Sequence, residues 1–183
     1  MQSKYPGKLY FLVGLARAGK STYVKTWLQN RTPVGVQKIV VCSDEIRLVV
    51  NNGNAWCSNT ELLVATVAHT MIKSHLLQGR EVLFDETNTS LRSLEYIFNI
   101  DINAQPIILT TPLDECVRRA HATNQSYLEK PIHRMYRNLL QLQGGGIFHK
   151  YNLEDTQHEL DEKLIREGIE KVRLKVLYDL EAK

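Results

Sequence analysis

Little in this sequence points to a metal centre, a membrane or export. Its three cysteines, Cys42, Cys57 and Cys116, are scattered and form no Cys-x-x-Cys pair. That spacing excludes a cysteine zinc site and reads as reduced, mostly buried thiols. No apolar stretch approaches the ~20 residues that span a bilayer. The opening residues Met-Gln-Ser-Lys-Tyr-Pro-Gly-Lys lack the apolar segment of a signal peptide. A cytoplasmic protein with no membrane partner is expected. Charge of one sign is also scarce: 23 Lys and Arg stand against 20 Asp and Glu, a net of +3. This is too small to identify a nucleic-acid partner by itself.

What is present is a globular composition. The chain has 183 residues, 43% of them hydrophobic, which favours one domain with a full core. Its charge is unevenly spread. From Arg118 to Lys150 six basic residues face the single acid Glu129, a net of +5, whereas from Glu154 onward nine acids face six bases. The middle segment should attract phosphates, or else it is an ordinary set of solvated helix faces.

Residues 14 to 21 read Gly-Leu-Ala-Arg-Ala-Gly-Lys-Ser. Two glycines five apart, followed at once by Lys and Ser, fit a loop that cradles phosphates: backbone N–H groups turn inward, Lys20 reaches the β/γ-phosphates and Ser21 ligates Mg²⁺. Leu9 to Val13 form an apolar run suited to a buried strand, and Tyr23, Val24, Trp27 and Leu28 recur at helical spacing. Strand, loop and helix therefore come in the order the motif requires. A plain glycine turn between a strand and a helix is the alternative. ATP and Mg²⁺ are the expected cofactors, with Gly14, Ala18, Gly19, Lys20, Ser21 and Thr22 around the nucleotide.

Apolar runs at 8–14, 37–42, 81–84 and 105–110 read as strands with helices between them. The clearest helix is 59–78, with Val64, Val67, Ala68, Met71, Ile72 and His75 on one face, Ser58 and Glu61 as a capping box and Gly79 as its end. Another follows Thr111-Pro112, with Thr111 as cap and Cys116, Val117 and Ala120 inward. Such alternation predicts an α/β fold with a parallel sheet of four to five strands covered on both faces. Ligands in such sheets bind beyond the carboxyl ends of the strands.

Two candidate groups stand there. After the second strand comes Ser43-Asp44-Glu45-Ile46-Arg47. Asp44 can accept a hydroxyl proton and Arg47 can hold an anionic acceptor, unless Asp44 is only a helix cap with a local ion pair. After the third strand comes Asp85-Glu86-Thr87-Asn88, in which Asp85 has the form of a Walker-B carboxylate for Mg²⁺, and Thr87 and Asn88 can donate to phosphate oxygens. As a short motif this is weak, because Asp, Thr and Asn are common in turns.

Taken together, residues 8 to 143 resemble the kinase domain of phage-type polynucleotide 5′-kinases, a P-loop kinase fold with a helical lid. The resemblance implies ATP on the first loop, Asp44 as general base on a 5′-hydroxyl, and Arg47 with Thr87 on the acceptor's 3′-phosphate. It also implies lid arginines on the transferring phosphates, in the segment from Pro112 to Lys130. Arg119 is the choice, Arg118 the second, and Arg134 a substitute. Where the family's lid offers another arginine, this chain has Thr123. The Asp-x-Asp-Gly-Thr loop of the phosphatase half found in some relatives is absent, so no 3′-phosphatase activity is expected. The kinase core would span 1–143 with its lid at about 112–143. Residues 144–183 would add a glycine joint and a C-terminal helical extension packed on that core.

Other residues read more plainly. Trp56 can stack on a base or pack over the core. His69 and His75 are six apart, not the four that suits a shared metal. Arg17 can touch ATP or point to solvent. Leu160, Leu164, Ile169, Val172, Val176 and Leu180 make a C-terminal stripe, with Gly168 as a candidate interruption. Three classes remain open: a kinase of polynucleotide ends, in DNA or RNA; a P-loop kinase acting on a hydroxymethylated base within DNA or on a small molecule; and a non-catalytic nucleotide-binding module. The oligomeric state, monomer or dimer, is open.

Overall fold

The computed structural model describes residues 4–30, 34–53, 57–144 and 159–182. Trp56, Gly145, Gly146 and Lys150, which the sequence singled out, lie outside them. Among the described residues there are four strands: β1 (Lys8–Val13), β2 (Lys38–Cys42), β3 (Glu81–Asp85) and β4 (Gln105–Ile108). They form one sheet in the order β2-β3-β1-β4. The β1–β3 and β2–β3 pairs are parallel. Val82, Leu83 and Phe84 are all buried, as a continuous apolar run requires when a strand has neighbours on both sides and is covered on its faces.

By its internal contacts the chain forms two compact units interleaved in sequence: Met1–Phe11, Ser21–Glu86 and Asn103–Gln105, and then Leu12–Lys20, Thr87–Ile102 and Pro106–Lys183. β1 begins in the first and finishes in the second.

The first unit holds β2, β3, most of α1 (Lys20–Gln29), α2 (Ser43–Val50) and α3 (Glu61–Leu77). In α1 only Trp27 is buried, edge-on to Tyr10 with ring centroids 6.1 Å apart. Leu28, expected inward, is exposed. α3 buries Val64, Ala68, Ile72 and Leu76. This i, i+4 row is narrower than the expected face: Met71 is exposed, and His75 is half-buried with its Nδ1 2.6 Å from Arg80 Nη1. The expected capping box is corrected. Thr60 occupies the N-cap position, with its hydroxyl on Asn51 Oδ1 at 2.6 Å, and Glu61 bonds elsewhere. Gly79 follows the helix at φ +74°, a left-handed conformation that suits glycine at a helix end.

The second unit holds α4 (Leu91–Ile100), α5 (Leu113–Ala122), a 3₁₀ turn (Ser126–Leu128), α6 (Glu129–Gln143) and α7 (Glu162–Glu181). Pro112, not Thr111, sits at the N-cap of α5; the Thr111 hydroxyl donates instead to the Ala18 carbonyl at 2.8 Å. α7 packs against α4 and α6 through Ile165, Gly168, Ile169, Val172 and Val176, while Leu164 and Leu180 stay exposed. Gly168 does not break the helix. A β-carbon there would stand 2.1 Å from the Leu142 carbonyl oxygen, so glycine lets the two backbones touch. Among the described residues, no helix is long and apolar enough to cross a membrane.

Candidate active site

In the second unit, the chain leaves β1 at Gly14 and turns through a loop to Lys20. The Gly14 N–H donates to the Thr87 carbonyl at 3.0 Å. A β-carbon at Gly14 would approach the Leu109 carbonyl oxygen to 3.0 Å and the Leu109 β-carbon to 3.2 Å, so crowding demands this glycine. Gly19 is needed for another reason, its φ of +95°. Ala18 is buried, and its N–H closes a turn on Leu15 at 3.2 Å. Lys20 folds back over the loop, with Nζ 2.7 Å from the Leu15 carbonyl oxygen.

Helix α5 brings an arginine to this loop. Arg119 Nη1 donates to the Arg17 carbonyl at 3.2 Å and lies 4.0 Å from the β-carbon position of Gly19. Its Nε bonds Glu115 Oε1 at 2.6 Å, and Glu115 also takes two hydrogen bonds from Arg118. Hydrogen bonds from Arg118 and then Arg119 hold the half-buried Glu115 carboxyl down at about 2. Arg118 is the more exposed of the two arginines, and its guanidinium is paired with Glu115. On the buried face of α5, burial pushes the Cys116 thiol up to about 11, which favours its protonated form.

Asn88 and Thr87 form the turn after β3. Asn88 is 1% exposed, adopts φ +45°, and donates from Nδ2 to the Leu12 carbonyl at 2.9 Å. Instead of lying open to an acceptor, this side chain pins the turn to β1. Thr87 is half-buried and holds Gly14 through its carbonyl.

In the first unit, parallel register sets Cys42 opposite Asp85 at the ends of β2 and β3. Asp44 and Glu86 thus emerge from adjacent strand ends, where open α/β sheets take their ligands. Arg47 gathers three carboxylates. Its Nε is 2.9 Å from Glu61 Oε1, its Nη1 2.5 Å from Asp44 Oδ1, and its Nη2 3.1 Å from Glu61 Oε2 and 3.7 Å from Glu86 Oε1. The Arg47 side chain is 14% exposed and that of Asp44 is 89% exposed. Glu86 accepts from the Ser43 hydroxyl at 3.2 Å. Burial raises its pKa, against the opposing pull of Arg47 and Ser43. Asp44 does not cap α2, whose N-cap residue is Cys42.

Ser21 and Thr22 are exposed in the first turn of α1, and Asp85 is half-buried at the end of β3. Among the described residues, no three His, Cys, Asp or Glu side chains gather as a metal cluster. The Ser21 hydroxyl and Asp85 carboxylate are hard oxygen donors of the kind Mg²⁺ takes when nucleotide phosphates and water fill the rest of its shell. Glu61 and Glu86 are the residues that sequence reasoning missed as partners of Arg47. Glu61 lies 14 residues beyond it, and no local pattern marks the pair.

The family model described as AAA domain matches residues 9–141. L-seryl-tRNA(Sec) kinase of Methanococcus maripaludis is 25% identical over 160 residues, 85% of this chain and 60% of its own length. The chain thus spans less than two thirds of that relative. Among solved structures, a chain of the Pnkp1/Rnl/Hen1 RNA repair complex superposes at TM-score 0.61 with 21% identity, over 86% of this chain and 53% of its own. A chain of the Pnkp1/Rnl/Hen1 complex reaches 25% identity at TM-score 0.54, over 62% and 39% respectively. The APS kinase CysC of Mycobacterium tuberculosis, solved with AMPPNP and APS, superposes at TM-score 0.51 with 16% identity over 94% of this chain and 98% of its own. These likenesses show the P-loop kinase fold.

Proposed function

The chain belongs to the AAA domain family, and on that footing we propose that it is an ATP-dependent phosphotransferase moving the γ-phosphate to a hydroxyl borne by a polynucleotide, with the 5′-hydroxyl end as acceptor. The observation that carries this reading is the Gly14–Lys20 loop, with Lys20 folded over it and Arg119 hydrogen-bonded to its backbone. Two cations at one loop, Lys20 and Arg119, suit the polyphosphate of a nucleoside triphosphate. The reading is that of the kinase domain of a phage-type polynucleotide kinase.

In this scheme Gly14, Ala18, Gly19, Lys20 and Thr22 bind the nucleotide. Ser21 and Asp85 hold Mg²⁺, which when bound neutralises charge on the transferring group. Lys20 and Arg119 stabilise the negative charge spread over the γ-phosphoryl oxygens, the largest contribution in a loose transition state. Asp44, exposed and hydrogen-bonded to Arg47, takes the proton from the attacking hydroxyl. An acceptor phosphate would compete with carboxylates for Arg47, and Thr87 would supply a second contact. Asn88 serves by holding the turn that carries Thr87.

A nucleic-acid acceptor is supported by the names of the relatives, one a kinase of seryl-tRNA and the other a member of an RNA repair complex. The test is transfer of labelled γ-phosphate from ATP to 5′-hydroxyl DNA and RNA oligonucleotides, DNA containing hydroxymethylated pyrimidines, and small-molecule hydroxyls. Label at a 5′ end, lost in Lys20→Ala, is the expected result. Label confined to internal bases or small molecules would keep the kinase and replace its acceptor.

A further inference from the structure

Arg17 lies inside the phosphate loop at φ +66°, in the left-handed region that crowds the β-carbon of an L-residue. A glycine would sit there without strain. Its Nε is buried and has no hydrogen-bond partner among the described residues, a second cost. Strain of this kind persists where the surroundings impose it and the site uses it.

The contacts of Arg17 show what imposes it. Its Nη2 donates to the Thr123 hydroxyl at 2.6 Å and also to the Gln125 side-chain oxygen. The Thr123 hydroxyl donates in turn to the Arg119 carbonyl at 2.9 Å. Returning the contact, the Arg119 guanidinium donates to the Arg17 carbonyl at 3.2 Å. Each arginine's side chain therefore reaches the other's segment, the loop arginine to the end of α5 and the helix arginine to the loop backbone. Arg119 is tied at one further point, Glu115 one turn earlier on the same helix. The reciprocal clasp locates the last turn of α5 against the phosphate loop.

We propose that Arg17 is a positioning residue for phosphoryl transfer: it clasps Thr123 and Gln125 so that Arg119 is held at the phosphate loop. The inference rests on the phosphotransferase reading above and deepens it. Thr123 and Gln125 serve the reaction by anchoring Arg17. Because a transition-state cation must be placed before the charge develops, loosening the clasp lowers kcat more than it weakens ATP binding.

The test compares wild type with Arg17→Gly, Thr123→Val, Arg119→Ala and the double variant Arg17→Gly/Arg119→Ala. It reads melting temperature, KM for ATP and kcat, with turnover followed both as ATP hydrolysis and as transfer to the acceptor panel. Arg17→Gly relieves the left-handed strain, so its melting temperature should equal or exceed that of wild type while kcat falls about tenfold, or ~1.4 kcal/mol, and KM stays within about threefold. The double variant should be no more than about twofold slower than Arg119→Ala alone, because the two residues act as one unit. Thr123→Val should lower kcat in the same direction. A wild-type kcat in Arg17→Gly, or losses that multiply in the double variant, overturns the proposal. If Arg17→Gly melts lower than wild type, Thr123→Val decides, and an unchanged kcat in that variant overturns it. ATP hydrolysis by wild type without label on any nucleic acid removes the acceptor reading and leaves the Arg17 comparison intact. No ATP turnover at all overturns both.

Discussion

The Arg47 guanidinium meets the Glu61 carboxylate at two points, Nε to Oε1 at 2.9 Å and Nη2 to Oε2 at 3.1 Å, tying the short helix α2 to the first turn of α3. With its side chain 14% exposed, Arg47 depends on protein partners more than on water. Glu61→Ala should destabilise the protein by about 1–2 kcal/mol, less than the loss of a fully buried pair because Asp44 and Glu86 remain. Urea unfolding checks the value, and a change below about 0.3 kcal/mol would show the contact to be immaterial.

Asp44 lies on the other side of the same guanidinium, yet its side chain is 89% exposed. Asp44→Asn should therefore leave stability within about 0.5 kcal/mol of wild type while lowering phosphoryl transfer about 100-fold, the lower end for general-base catalysis. Paired unfolding and single-turnover measurements give both numbers. Near wild-type turnover would reduce Asp44 to a partner of Arg47.

Glu86 should make stability depend on pH. Burial raises its carboxyl above the ordinary 4.5 in the folded protein, so the folded state holds this proton more tightly than the unfolded state. Its contribution is full below the ordinary carboxyl value and is lost as pH rises through the raised folded value. Glu86→Gln, which cannot ionise, should gain stability relative to wild type as pH climbs from about 4 and then level off. Unfolding free energies at a series of pH values test it, and a difference that stays constant with pH would refute it.

Gly168 allows α7 to touch the end of α6. A β-carbon 2.1 Å from the Leu142 carbonyl oxygen meets backbone, which cannot turn aside. Gly168→Ala should cost about 2–3 kcal/mol despite alanine's better helix propensity, because overpacking outweighs the gain. A stabilised variant in denaturant titration would contradict the close approach.

Much of the architecture was legible in the linear order of residue types. Apolar runs marked all four strands to within two residues at each end, since a strand buried on both faces must be apolar throughout. The loop was legible because Gly14, Gly19, Lys20 and Ser21 carry their spacing within one short segment. Features that depend on distant partners were not. Ser58 and Glu61 have the spacing of a capping box, but Glu61 turned to Arg47, and a charged partner outweighs a backbone N–H that water can serve. Asn88 has the residue type of a phosphate donor, but burial against β1 committed its amide to the Leu12 carbonyl.

Residue order along the chain thus decided the alternation of strands and helices, the strand-loop-helix around Lys20, and which residue types follow each strand, because these are local properties of spacing and side-chain shape. Tertiary structure alone decided which groups meet. It collected Asp44, Glu61 and Glu86 around Arg47, laid Arg119 against the loop with Arg17 reaching back to Thr123, and made Gly168 a contact point instead of a break. The physical reason is sequence separation: the Arg17–Thr123 bond spans 106 positions. Such a pair leaves no periodic trace in the chain and exists only once packing has closed the distance.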